Sequence, residues 1–62
     1  MNPIKTHIES NRLRVDAVAS AVGVNVATVY RHLKGEKFKL ATARKYSVAL
    51  GIPLEHLLSQ VA

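Results

Sequence analysis

The residues best equipped for chemistry in this chain are its cations. Arg31, Lys34, Lys37, Lys39, Arg44 and Lys45 fall within fifteen positions that hold one acid, Glu36, in a chain of net charge +5. A basic cluster on a small domain creates the positive potential that draws a polyanion, and nucleic acid is the usual one. A solvated face that aids solubility has the same composition, so charge by itself leaves both readings open. Metal and catalytic chemistry have weaker footing. His7, His32 and His56 are scattered, with no second His at helical spacing and no Cys, so surface or partly packed histidines are expected rather than a metal site. Asp16 is the only Asp, and Ser10, Ser20, Ser47 and Ser59 belong to no nucleophile–base–orienter set. No glycine-rich phosphate loop is present. The chain is expected not to be an enzyme and to need no cofactor.

The elements that must position these cations have little material to work with. Sixty-two residues make a single domain, 1–62, which buries only about 60% of its unfolded surface and gains from self-association. With no Cys, disulfides and thiolate sites are excluded, which fits a reducing cytoplasm. No targeting segment is visible at MNPIKTHIES, and no apolar run approaches the roughly 20 residues of a membrane span. A soluble protein is the expectation.

Period and punctuation predict five short helices. Asn2-Pro3 opens the first with a cap and a proline at the first position, and Ile4 and Ile8 share a face. Asn11 to Arg14 breaks the pattern. Val15, Val18, Ala19 and Val22 then form a stripe, Asp16 suits a helix start, and Gly23 suits a helix end. Asn25 caps VATVYRHLK, which Gly35 closes. Glu36 to Lys39 reads as a polar connector. Leu40, Ala43, Tyr46, Ser47 and Leu50 trace the fourth helix, up to Gly51. Pro53 starts the last, with Leu54, Leu57, Leu58 and Val61 along one side. The valines would also suit strands, but the spacing is that of helices.

The informative stretch is about 15–34. Ala19 is small enough for the third helix to cross close by, Gly23 can take the positive φ of a sharp turn, and Val29 fills the space between the two helices. Val18, Val22 and Val24 supply the surrounding core. This joint pattern is that of a helix-turn-helix.

From Ile4 to Leu58 the sequence resembles the lambda-repressor-like family of helix-turn-helix domains, and looks most like the small single-domain phage Cro and repressor proteins. GVNVATVYRHLKG matches the family's recognition-helix pattern, and LATARKYSVALGIPLEHLL looks like its two C-terminal helices. The resemblance implies an all-α, five-helix domain with the helix-turn-helix at helices 2 and 3. It implies a dimeric transcriptional regulator that binds double-stranded operator DNA in a bacterial cytoplasm, with no small-molecule ligand. Carried over residue by residue, Val26, Ala27, Thr28 and Arg31 would face base edges. Arg31 is the main specificity candidate, because its planar fork suits guanine O6 and N7. Asn25 and the helix N-terminus would hold a phosphate, and Tyr30, Lys34, Lys37, Lys39, Arg12 and Arg14 would flank the DNA backbone. A weak homodimer would form through Ile52, Pro53, Leu54, Leu57 and Leu58.

Periodicity reads the third helix differently, burying Val26, Val29, Tyr30 and Leu33 as one stripe. Following the resemblance leaves Val29 and Leu33 in the core and exposes Val26 and Tyr30. The chain also departs from the family pattern. An Arg–Glu pair between the first and third helices is replaced by Ile8 and Leu33. Val15 stands where a glutamine usually touches the DNA backbone, and His32 stands where an aliphatic residue packs. Cro-like proteins end in either helices or a β-hairpin, and the residues of this tail favour helices. An alternative function is a helix-turn-helix interaction module, such as an antitoxin or a regulatory partner.

Overall fold

A computed structural model describes residues 2–62. It is all-helical, with five α-helices and, among the described residues, no β-strand. The helices are α1 (Pro3–Ser10), α2 (Val15–Val22), α3 (Val26–Leu33), α4 (Leu40–Leu50) and α5 (Leu54–Leu57), the last running into a 3-10 turn, Leu58–Gln60. α2 packs against α3 and α4, and α5 against α4 and α1. One core results, in which Tyr46, Ile4, Leu57 and Val29 are the largest fully buried side chains. No helix among the described residues is long and apolar enough to cross a membrane.

The helix ends follow local chemistry. The Asn2 side-chain oxygen accepts from the N–H groups of Ile4 and Lys5, and Pro3 occupies the first turn. α2 stops at Gly23, whose φ of +83° is costly for a residue with a Cβ. α1 ends in a less usual way. The Leu13 N–H donates to the Ile8 carbonyl and the Arg12 N–H to that of Glu9, which is a Schellman closure with Arg12 in the left-handed position, φ +53°. Its arginine is the one non-glycine residue with positive φ among the described residues.

Four readings of the sequence need correction. The connector 36–39 is not wholly polar, because Phe38 is buried in the core. Leu40, expected inside, is 40% exposed, while Phe38 two residues before it is buried against the rings of His32 and Tyr46. His32 is buried at 4% exposure, neither surface nor partly packed. Its Nδ1 lies 2.7 Å from the Tyr46 hydroxyl, and its ring meets Phe38 and Tyr46 edge-on. Val61 is not helical. The chain leaves the 3-10 turn so that its backbone pairs with Phe38, with the Phe38 N–H donating to Gln60 and the Ala62 N–H to Phe38. Gln60, also unforeseen, is buried and donates through Nε2 to the carbonyls of His32 (2.6 Å) and Glu36 (3.0 Å).

Candidate nucleic-acid interface

α3 is the element that gathers most of the candidate residues. At 3.6 residues per turn, Val26, Ala27, Tyr30, Arg31 and Lys34 occupy one continuous arc, and Val29 and His32 lie opposite it. The burial follows that division. Val29 and His32 are buried, Thr28 and Leu33 are half-buried at the edges, and the arc is exposed, with Val26 at 37% and Tyr30 at 50%. The buried stripe inferred from apolar spacing alone is therefore rotated toward His32. That rotation is possible because the Tyr46 hydroxyl satisfies the buried imidazole, where an unpaired polar ring would be costly. Among the described residues no buried side-chain polar atom lacks a hydrogen-bond partner.

Both ends of α3 are held firmly. At its start, the Asn25 side-chain oxygen accepts from the Ala27 N–H at 2.8 Å, so the oxygen caps the helix and only the amide nitrogen remains for an outside partner. At its end, carbonyls that lack helical donors are taken up from elsewhere in the chain. The Asn2 amide nitrogen donates to His32 (2.8 Å) and Leu33 (3.2 Å), and Gln60 shares the His32 carbonyl. One asparagine thus caps the start of α1 and the end of α3 together. The signal available in the sequence, Asn before Pro, points only to the first of these roles.

The flanking cations are placed by the backbone. Around Phe38 the chain is extended and successive side chains alternate, so burying Phe38 turns Lys37 and Lys39 outward. Lys34 caps α3 and is exposed. Arg14 is less available than its charge suggests, because its Nε and Nη2 donate to both Asp16 oxygens at 3.2 and 3.1 Å. Both side chains are exposed, and pairs of this kind contribute little to stability. Arg31 is also engaged. Its Nη2 donates to Thr28 Oγ1 at 3.2 Å, and its Nε stands 3.4 Å from a Glu36 carboxylate oxygen.

The surface expected to pair two copies is only partly available. Ile52 and Leu57 are buried in the core and have almost no surface to offer a partner. α5 has four residues, so its inward side is used up by Leu57 and by half of Leu54. Pro53 and Leu58 are exposed, Leu58 at 52%. Ser47, read as part of the apolar stripe of α4, instead donates its hydroxyl to the Ile52 carbonyl and fixes the α4–α5 turn.

Comparisons with known protein families, curated proteins and solved structures found no match to this chain.

Proposed function

We propose that this chain is a sequence-specific double-stranded DNA-binding transcriptional regulator. In this reading α2 and α3 form a helix-turn-helix, and α3 enters the major groove of a pseudo-palindromic operator. The observation that carries it is the exposed arc of α3. Val26, Ala27 and Arg31 stand clear of the core on a helix held at both ends, with Lys34, Lys37 and Lys39 beside its C-terminal end. The roles follow from chemistry. Arg31 reads guanine O6 and N7, and Val26, Ala27 or the Thr28 methyl meets a thymine methyl. The lysines, with Tyr30, Asn25, Arg12 and Arg14, bind phosphates and set the register without reading sequence. A small, basic domain of 62 residues gains affinity by binding as a symmetric pair, with half-sites about 34–36 Å apart. Pro53, Leu54 and Leu58 are the residues of the last segment with surface left for a weak contact, which DNA then strengthens.

A second reading, a helix-turn-helix module that binds protein, draws support from one feature. Val48 is 86% exposed beside Ala21 of α2 and next to Arg44 and Lys45, and an apolar side chain flanked by cations can seat an acidic, partly apolar protein surface. Selection of binding sites from random duplexes separates the two. Recovery of an inverted repeat supports the regulator, and recovery of no preferred sequence favours the module.

A further inference from the structure

The candidate base-reading arginine is not a free side chain. Its guanidinium has two usable edges, one formed by Nε with Nη2 and the other by Nη1 with Nη2. Glu36 faces the first edge as an exposed ion pair, with a carboxylate oxygen 3.4 Å from Nε, and Thr28 Oγ1 accepts from Nη2 at 3.2 Å. Among the described residues, Nη1 makes no hydrogen bond or ion pair. The two partners come from opposite sides along the chain, Thr28 one turn before Arg31 on α3 and Glu36 just beyond the glycine that closes α3. Glu36 itself is held through its backbone, because its N–H donates to the Arg31 carbonyl at 3.1 Å and its carbonyl accepts from Gln60 at 3.0 Å.

We propose that Glu36 is a positioning residue for Arg31, and that its acid sets which base pair the domain prefers. The inference rests on the DNA-binding reading above. With Glu36 beside Nε and Thr28 on one Nη2 hydrogen, Nη1 and the other Nη2 hydrogen are left to donate two parallel bonds to guanine O6 and N7. An arginine without the clamp keeps its charge but loses a fixed direction, so it binds phosphates as readily as bases. Glu36 also repels the DNA backbone, and this weakens binding to every sequence alike. One carboxylate thereby raises discrimination while lowering general affinity, which explains why the basic segment 31–45 contains this single acid.

The test uses the full chain with two duplexes: the one recovered by the wild-type protein from a random library, and the same duplex with the guanine pair that Arg31 protects replaced. Glu36→Ala should bind the replaced duplex more tightly than wild type. Its preference for the guanine duplex should nevertheless fall about threefold to tenfold. Glu36→Gln keeps an acceptor of the same reach, so it should gain general affinity but retain most of the preference. In an Arg31→Ala background, Glu36→Ala should leave the preference unchanged. Unaltered thermal unfolding of the Glu36 variants checks that the fold is intact, as expected for a half-exposed side chain. If Glu36→Ala tightens both duplexes equally, the carboxylate acts only through its charge and the inference is overturned, with the DNA-binding reading standing. If the wild-type protein recovers no preferred duplex, the DNA-binding reading itself fails.

Discussion

Mild acid should destabilise this domain through one side chain, His32. The imidazole is packed between Phe38 and Tyr46, and desolvation by burial holds its pKa below the ordinary value of 6.5. Glu36 pulls the pKa back up and Arg31 adds to the lowering, but burial is the largest influence. In the unfolded chain the ring protonates near 6.5. Between that pH and the lower folded value, the unfolded state holds a proton that the folded state refuses. Stability is therefore complete above about 6.5, falls as the pH falls, and levels off below the folded pKa. The slope in that window approaches about 1.4 kcal/mol per pH unit. A domain of this length is expected to have only about 3–9 kcal/mol of total stability, so the loss is a large fraction of it. Urea unfolding near pH 7.5 and near pH 5.5, followed by circular dichroism, measures the effect. The control is the double substitution His32→Leu with Tyr46→Phe. It removes both polar partners together, and such a replacement can be nearly neutral. The wild type should lose more stability than the control between the two pH values. Equal losses would refute the buried, neutral His32.

Other parts of the fold give equally direct tests. Tyr46→Phe alone leaves His32 Nδ1 without its partner and should cost about 1–3 kcal/mol at neutral pH. Burial raises the Tyr46 pKa to about 12, so in a Tyr30→Phe protein the phenolate absorbance should rise only near that pH or on unfolding. Asn2→Ala removes the α1 cap and two bonds to the end of α3, and should lower stability by roughly 1–3 kcal/mol in thermal or urea unfolding. Arg12→Gly relieves a left-handed arginine and should raise stability by up to about 1 kcal/mol; a decrease would show that the φ of +53° carries no strain. Leu58→Asp should leave the monomer fold intact and weaken self-association in sedimentation, whereas Leu57→Ala should destabilise the fold itself by about 2–5 kcal/mol.

The parts legible in the sequence were those governed by local rules. Asn2-Pro3, Asn25, Gly23 and Gly51 mark helix boundaries because caps and left-handed turns depend on neighbouring backbone alone. The parts that were not legible depend on contacts between residues far apart in the chain. Nothing near Phe38 announces that Gln60 and Ala62 will pair with it, and that pairing is what brings the phenylalanine inside and sends Lys37 and Lys39 out. His32 reads as polar until Tyr46, fourteen residues later, supplies its hydrogen bond. The same limit applies to the last helix. A leucine stripe shows that α5 is amphipathic, but only the packing decides that Leu57 is spent on the core and Leu58 is not. At the candidate site, the exposure of Val26 and Tyr30 was expected from the family resemblance, whereas apolar spacing alone would have buried them. The clamp on Arg31 could not be expected, because it depends on where the glycine turn at 35 delivers Glu36.

If α3 reads base sequence, the ratio of affinities for two duplexes at one salt concentration shows it. The duplex recovered from random selection and a scrambled duplex of equal composition are titrated with wild-type protein, with Arg31→Ala and with Lys34→Ala. The wild type should prefer the selected duplex by about a thousandfold or more. Arg31→Ala should lose about 1–3 kcal/mol of that preference, and Lys34→Ala should weaken both duplexes alike while lowering the salt dependence by about one ion. Equal affinity of the wild-type protein for the two duplexes would mean that α3 does not read base sequence.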